Sequence, residues 1–242
     1  MEVSLTGKHI LITGGTSALG RAFVEKALQA GAHVYFTFYR NQTVADQLIN
    51  RGSVGFQVDL SRTGAVTSLK AMVESRTKTL DGLILNAAAV SDHTIQNMTE
   101  EEWDYVLNVN LKSVYLTVKS LLRFFLKNER SKILTVISQV GIRGGFGQAN
   151  YAAAKGGLIA FTKSIAKELG KRKILVNAFN PGFMVSQMTE SLSSDIRKRN
   201  EERSTLGEIS DPHEVADFMV YLMSERMNHV SGQVFHFDSR SL

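Results

Sequence analysis

The stretch ILITGGTSALGRAF, residues 10–23, decides the fold of this chain. An apolar run of strand length, residues 9–13, passes directly into a glycine-rich turn, and a segment with helical periodicity follows up to the stop signal Gly31. Glycines let the backbone approach a bound group closely, and the first turn of a helix offers free N–H groups to negative charge. The arrangement therefore favours a site for the pyrophosphate of a dinucleotide over a purely structural turn.

Short apolar runs alternate with helix-like segments along the rest of the chain. The predicted strands, each rich in β-branched or aromatic residues, are residues 9–13, 34–38, 55–58, 82–85, 133–137, 175–179 and 233–237. Such runs suit parallel strands that are covered on both faces. The alternation predicts an α/β fold of Rossmann type, a doubly wound parallel sheet of seven strands with helices on both faces.

Length and composition favour one domain in a reducing compartment. The 242 residues fit a single large α/β domain, and no linker or repeat divides them, so we expect one domain over residues 1–242. The chain has no cysteine, which excludes disulfides and thiolate metal sites, and we expect no metal. No signal peptide is evident, and no stretch approaches the roughly 18 to 20 apolar residues of a membrane span. We therefore expect a cytoplasmic protein that does not contact membranes.

The basic residues are spread over many segments. A formal net charge of +5 fits a nucleic acid, an acidic partner or a phosphorylated ligand. Without a basic stripe and interleaved aromatic residues we expect no nucleic-acid binding, and we interpret most of the charge as solvated surface. The polar insertion at residues 184–211 is either a lid over a site or an ordinary solvated helical segment, and the sequence leaves both open.

The end of the second predicted strand indicates which dinucleotide is preferred. No acidic residue lies between His33 and Ala45, where an acid would bond the adenosine ribose, whereas the guanidinium of Arg40 matches a 2′-phosphate. This favours NADPH, with a solvated loop arginine as the alternative. Asp59 follows the third strand and is either an acceptor for the adenine amino group or a residue near a helix start.

Three residues form a candidate catalytic centre. Ser138 follows the fifth predicted strand, and Tyr151 and Lys155 lie four positions apart on one helix face. A free tyrosine has a pKa of about 10. We expect the Lys155 ammonium to lower the pKa of Tyr151, so that the phenol exchanges a proton, while the serine hydroxyl steadies a substrate oxygen. A tyrosine–lysine pair alone is common on helices, but together with the serine and the nucleotide turn it indicates carbonyl reduction.

The chain resembles the short-chain dehydrogenase/reductase family over nearly its whole length. Residues 13–20 are similar to the family's TGxxx[AG]xG cofactor motif, and residues 180–182 to its Pro-Gly motif. Asn110 stands where the family has its catalytic asparagine, and the Ser138, Tyr151 and Lys155 set matches its active site in spacing. Within the family, residues 147–164 and 174–182 are most similar to the 3-oxoacyl-[acyl-carrier-protein] reductases.

The resemblance implies a role for each of these residues. Tyr151 gives a proton to the carbonyl oxygen as hydride arrives from the nicotinamide, and Lys155 also binds the nicotinamide ribose. Ser138 holds the substrate oxygen, and Asn110 supports a water-linked proton relay. The implied NADPH/NADP+ site comprises Gly14, Thr16, Ser17, Leu19, Gly20, Arg40, Asp59, Leu60, Asn86, Ala87, Ala88, Tyr151, Lys155, Pro181, Gly182, Met184 and Ser186.

Partners also follow from the resemblance. It implies a homotetramer that pairs the long helices after Asn97 and Tyr151, and a substrate carried on acyl carrier protein. Gln148 is implied at the substrate and Arg172 in docking of the carrier. The second docking arginine of the subgroup aligns with Glu129 here, and the adjacent Arg130 is its candidate substitute. We expect the two basic groups, residues 171–173 and the set Lys127, Arg130 and Lys132, near the mouth of the site; the alternative is solvated helix ends.

Three departures from the family pattern affect these expectations. Ala88 replaces a glycine near the cofactor, and Ser17 stands where many NADPH-using relatives have arginine, which leaves more of the phosphate recognition to Arg40. Residues 237–240 depart from the family's Asp-Gly-Gly, which puts the geometry of the oligomer in doubt. Two alternative functions remain, an oxidoreductase for another ketone/alcohol pair and a nucleotide-binding regulator without chemistry.

Overall fold

A computed structural model describes residues 3–184 and 194–240. Within these ranges one parallel sheet of seven strands has the order β3-β2-β1-β4-β5-β6-β7. The strands are β1 His9–Thr13, β2 His33–Phe38, β3 Val54–Gln57, β4 Gly82–Leu85, β5 Ser131–Val136, β6 Ile174–Asn180 and β7 Val234–His236. The predicted fold is confirmed, and the strand bounds differ from those expected by at most three residues.

Helices cover both faces of the sheet. They are α1 Ala18–Gln29, α2 Gln42–Asn50, α3 Ala65–Glu74, α4 Glu100–Leu107, α5 Ser113–Phe125, α6 Val140–Arg143, α7 Ala149–Leu169, α8 Ser194–Arg203 and α9 Pro212–Met223. One apolar core joins the sheet to α1, α2 and α9, and the other joins it to α3, α5 and α7. Gly31 has the predicted role of a helix stop, because its positive φ of 87° directly follows the end of α1.

The strand order reverses between β1 and β4, whose connections run to opposite sides of the sheet. In open α/β sheets, ligands bind outside the carboxyl ends of the strands at such a switch point. The glycine-rich turn follows β1, residues 86–88 follow β4, and Ser138 and residues 180–182 follow β5 and β6. The topology thus brings the sequence motifs to one edge of the sheet.

The polar insertion contains one described helix, α8, whose Lys198 and Arg199 are exposed. Short bridges join Met184 to Ser210 and Ser204 to Arg240. Ser186 lies outside the described residues. Whether the insertion serves as a lid stays a prediction.

Candidate active site

Two of the three glycines in the glycine-rich turn stand where a side chain would collide with neighbouring backbone. Gly14 has a φ of +70°, and a Cβ atom on it would lie 2.9 Å from the Ala87 Cα atom. A Cβ atom on Gly20 would lie 2.2 Å from the Gly14 carbonyl oxygen. The backbone of β1, the start of α1 and the loop after β4 therefore approach closely. This cradle fits the pyrophosphate of a dinucleotide at the amino end of α1.

Two side chains that the motifs contain hold this turn to the loop after β4. The Thr13 hydroxyl accepts hydrogen bonds from the N–H groups of Asn86 and Ala87, both at 3.0 Å. The Asn86 amide donates to the Thr13 and Gly14 carbonyls and to the Ser17 hydroxyl, each at 3.1 Å. Ser17 is also the N-cap of α1, accepting from the Gly20 N–H group at 3.1 Å. Asn86 and Ser17 therefore have structural roles here, in addition to the predicted contact with a cofactor.

Of the other predicted cofactor residues, Thr16 is half-buried and Leu19 is buried at the start of α1. Ala88 is exposed and Leu60 half-buried, while Pro181 is buried at the end of β6. All of them lie in the loops at the carboxyl edge of the sheet.

Arg40 is exposed just after β2, and its guanidinium lies 4.9 Å from the centre of the Tyr39 ring. Asp59 is held by the Ser61 hydroxyl at 2.6 Å and by Arg62 at 3.2 Å. Burial opposes ionisation of Asp59, but the hydrogen bonds from Ser61 outweigh it and lower the pKa of that carboxyl. A charged Asp59 and an exposed Arg40 are compatible with their predicted contacts to adenine and to a 2′-phosphate.

Ser138, Tyr151 and Lys155 come together beyond the end of β5. The Ser138 hydroxyl lies beside the Tyr151 phenol and acts to lower its pKa. Lys155 is buried with its Nζ atom 5.6 Å from the centre of the Tyr151 ring, and it donates to the Val136 carbonyl at 2.7 Å. A hydroxyl, a phenol and an ammonium group within one cluster are the groups that carbonyl reduction needs.

Lys155 is not among the groups that shift the pKa of Tyr151 in this structure, so its expected effect on the phenol stays a prediction. Burial raises the pKa of Tyr151 to about 12. The Ser138 hydroxyl acts to lower this pKa, and the Asp92 carboxylate acts to raise it further. Burial also lowers the pKa of Lys155 to about 8. The sequence could not reveal this, because helical spacing places the two groups one turn apart but does not report how much water reaches them. A phenol that stays protonated suits a proton donor.

Asn110 lies in a π-helical turn, residues 108–112, between α4 and α5. Its buried side chain donates to the Ala89 carbonyl at 2.7 Å and accepts from the Ala89 N–H group at 2.8 Å. These two bonds fix the orientation of the amide against the loop after β4, and the role of Asn110 in a proton relay stays a prediction. π-helical turns are frequent at functional sites.

The loop after β4 is also fastened by residues that the sequence analysis missed. Buried Asn150 donates to the Ser91 carbonyl at 2.9 Å and accepts from the Tyr151 N–H group at 2.7 Å. Gln148 donates to Asp92 at 2.7 Å, so it lies in the loop region where a substrate contact was predicted. An asparagine in the first turn of a helix is a known local signal, but nothing in the sequence indicated Asp92.

The turn after β6 lies against the end of the chain. Gly182 has a φ of +75°, and a Cβ atom on it would lie 2.4 Å from the Phe237 carbonyl oxygen. The Asn180 amide donates to Asp238 at 3.3 Å and to Gln139 at 3.2 Å. The motif therefore depends on a tight contact with the C-terminal segment, and a larger residue does not fit at Gly182.

We expected the two basic groups near the mouth of the site, but the structure places them away from it. Arg172 follows the carboxyl end of α7, whose 21 residues span about 30 Å, whereas Tyr151 lies at the other end. Arg130 directly precedes β5 and thus lies at the same amino edge of the sheet as Lys173, which bonds Ser131. Lys132 is buried and donates to the Leu222 and Ser224 carbonyls, so it is not available to a partner.

No helix in the described part of the chain is both long and apolar enough to cross a membrane. In the same residues, no cluster of three or more histidine or acidic side chains is arranged to hold a metal ion.

The sheet topology, the glycine cradle and the serine–tyrosine–lysine cluster together define one class of protein. A family model described as enoyl-(acyl carrier protein) reductase matches residues 14–239. The chain belongs to the short-chain dehydrogenase/reductase family.

Relatives within the family have a more specific name. The chain is 36% identical over 242 residues to the 3-oxoacyl-[acyl-carrier-protein] reductase FabG of Aquifex aeolicus (strain VF5), covering 98% of both chains. It is 35% identical to the Chlamydia pneumoniae protein of that name, with 98% of each covered, and 33% identical to that of Escherichia coli (strain K12), with 97% of each covered.

A solved structure shares the fold. The Pseudomonas aeruginosa RhlG/NADP active-site complex superposes with a TM-score of 0.91 at 24% identity, covering 98% of this chain and 96% of the other. At this identity the likeness supports the architecture alone.

Proposed function

We propose that this protein reduces the ketone of a 3-oxoacyl thioester to the 3-hydroxyacyl product with NADPH. The observation that carries the proposal is the contact of Ser138 with Tyr151 above buried Lys155, beside a glycine cradle at the switch point of the sheet. The relatives named as 3-oxoacyl-[acyl-carrier-protein] reductases support the same reaction. The family model's description, an enoyl reductase, concerns a C=C bond, whereas a serine hydroxyl beside a tyrosine phenol suits the oxygen of a ketone.

NADPH supplies hydride to the carbonyl carbon when it is bound. Gly14 and Gly20 give its pyrophosphate access to the backbone, and exposed Arg40 is available to the 2′-phosphate. The enzyme's relatives and the absence of an acid after β2 support NADPH over NADH.

The protein's own groups orient the ketone and provide the proton. The Ser138 hydroxyl bonds the substrate oxygen, and Tyr151 transfers its proton to that oxygen as the alcohol forms. Lys155 supplies a proton to the Tyr151 phenolate that this transfer leaves behind, and it bonds the nicotinamide ribose. The burial of Lys155 and the partial burial of Tyr151 strengthen these electrostatic contacts.

The carrier of the acyl group is a separate part of the proposal. Relatives named for acyl-carrier-protein substrates support a carrier-bound thioester. Arg172 and Tyr151 lie at opposite ends of α7, so the role of Arg172 in docking is tested separately from the reaction. The second candidate, a reductase of free ketones, requires no such docking.

A substrate panel tests the function. NADPH oxidation is measured with acetoacetyl carrier protein, acetoacetyl-CoA and an unactivated ketone, in the wild type and in Arg172→Glu. We expect the carrier-bound substrate to have the highest kcat/KM, and Arg172→Glu to raise KM for that substrate alone, with an effect that shrinks at high salt. Equal kcat/KM values for all three substrates would leave only a general ketone reductase, and no oxidation of NADPH would contradict the function itself.

A further inference from the structure

We propose that Arg240 is a positioning residue for NADPH binding, which it supports by fixing the turn at residues 180–183 through Asp238. The inference rests on the proposed function, because Pro181 and Gly182 of this turn belong to the NADPH site that the family resemblance implies. It concerns a residue outside the catalytic cluster and outside every cofactor motif of the sequence.

Arg240 and Asp238 form a fork that is nearly buried. The Arg240 Nε atom donates to Asp238 Oδ1 at 2.9 Å and its Nη2 atom to Oδ2 at 2.7 Å. The Arg240 N–H group adds a third bond to Oδ1 at 3.1 Å. Only 6% of the Asp238 side chain and 19% of the Arg240 side chain are exposed. Such two-point, charge-assisted pairs are strong and fix direction as well as distance.

Asp238 in turn holds residues 180–183 in place through hydrogen bonds. It accepts a hydrogen bond from the Asn180 amide at 3.3 Å, and the Asn180 side-chain oxygen accepts from the Gly182 N–H group at 3.3 Å. The Phe237 N–H group donates to the Asn180 carbonyl at 2.9 Å. A shift of Asp238 would therefore move the backbone of the turn itself.

Arg240 also contacts the polypeptide that leaves the turn and the helix that returns toward it. Its guanidinium lies 5.5 Å from the centre of the Phe183 ring, and its Nη1 atom donates to the Asn200 side-chain oxygen in α8 at 3.0 Å. Next to it, the hydroxyls of Ser239 and Ser204 lie 2.6 Å apart. One guanidinium thus joins three segments that are distant in sequence.

These contacts use side chains that stand where the sequence departs from the family pattern. The family pattern at this point is Asp-Gly-Gly, whereas here Ser239 and Arg240 follow Asp238. Two glycines would retain the acid and lose both side-chain contacts. The departure that the sequence analysis linked to oligomer geometry therefore has an intramolecular role.

The test compares Arg240→Ala and Arg240→Lys with a control, Lys26→Ala. Lys26 forms an ion pair with Asp217 at 2.8 Å between α1 and α9, away from the turn. The Kd for NADPH is measured by fluorescence titration, kcat is measured at saturating NADPH, and Tm is measured with and without NADPH. We expect Arg240→Ala to weaken NADPH binding about tenfold, equivalent to about 1.4 kcal/mol, with kcat within about twofold of wild type.

Arg240→Lys keeps a charge beside Asp238 without the planar fork and should have an intermediate Kd. The Kd of Lys26→Ala should equal that of the wild type. If Arg240→Ala binds NADPH as tightly as the wild type, or lowers Tm equally with and without NADPH, the positioning role is wrong. If the wild type binds no NADPH, the proposed function is contradicted. If the wild type and Arg240→Ala bind NADPH equally well, only this inference is contradicted. If Arg240→Ala does not fold, Arg240→Lys alone decides by the same criteria.

Discussion

At the scale of single residues, burial rather than sequence spacing sets the chemistry of the centre. Tyr151 and Lys155 are one helical turn apart, yet burial moves the pKa of the phenol up to about 12 and the pKa of the ammonium down to about 8. Between these two values the phenol keeps its proton, while the lysine loses its charge. The two residues therefore respond to different ranges of pH.

Replacement of Tyr151 by phenylalanine tests the proton donor. Loss of the phenol should lower kcat by about 10² to 10⁴, the usual contribution of general acid catalysis, with nearly unchanged affinity for NADPH. Steady-state kinetics and a fluorescence titration of NADPH measure the two effects. A kcat close to that of the wild type would exclude Tyr151 as the donor.

The low pKa of Lys155 predicts a decline in activity at alkaline pH. As pH rises through about 8, the ammonium deprotonates, and kcat/KM for reduction should fall while Tyr151 does not titrate. The profile of kcat/KM between pH 6 and 10 reports groups of the free enzyme. Arginine stays charged across this range, so the residual activity of Lys155→Arg should lack the decline. An identical decline in the variant would assign it to another group.

Arg40 predicts the cofactor preference. Its exposed guanidinium stacks on Tyr39, so Arg40→Ala should remove a charge-assisted bond to the 2′-phosphate, worth about 1.5 to 3 kcal/mol, without disturbing the core. The ratio of kcat/KM for NADPH to that for NADH should fall about tenfold or more. Equal use of both cofactors by the wild type would show that Arg40 does not select between them.

At the scale of elements, the loop after β4 is the part of the site that the rest of the fold holds most closely. Asn110 from the π-helical turn, and Asn150 and Gln148 from around the start of α7, bond Ala89, Ser91 and Asp92 in turn. His93 pairs with Glu102 at 3.0 Å. The loop is thus fixed to the helix that carries Tyr151.

The Asn150→Ala variant should show how much the hydrogen bonds of Asn150 contribute to the stability of the fold. It leaves the half-buried Ser91 carbonyl and the Tyr151 N–H group without this partner, at a cost of about 1 to 3 kcal/mol. For a chain of this size each kcal/mol corresponds to a Tm change of roughly 2 to 4 °C. Gln42→Ala, which removes an exposed bond to Asp46, is the control and should leave Tm unchanged. Equal Tm values for both variants in thermal unfolding would contradict the role of Asn150.

At the scale of the whole molecule, one surface is suited to contact with other copies of the chain. A concave region between α4, α5 and α7 is lined by Leu107, Leu111, Tyr115 and Phe161. Tyr115 is 44% exposed there. These are the helices that the predicted homotetramer pairs.

A charge in this surface should prevent assembly. In light scattering we expect a wild-type mass four times the chain mass of 26.7 kDa, and a smaller species for Tyr115→Glu, because a carboxylate in an apolar interface is not solvated. Tyr221→Glu, at a similarly exposed tyrosine on α9, should leave the mass unchanged. A wild type of 26.7 kDa at low micromolar concentration would exclude the tetramer.

The sequence by itself determined the succession of strands and helices along the chain, the glycine turn and the residue types of the catalytic centre. These features depend on local patterns: apolar runs of strand length, a helix stop at Gly31, and the fixed spacing of Tyr151 and Lys155. Such patterns are read within a few residues of the chain, so no distant contact was needed to predict them.

Only the tertiary structure decided what depends on distant contacts and on the exclusion of water. The pKa values of Tyr151 and Lys155 follow from burial, which residues far apart in sequence create together. Arg172 lies at the far end of α7 because the sheet places the ends of that helix at opposite edges. Arg240 reaches the turn after β6 because β7 runs beside β6, a pairing that no local pattern encodes.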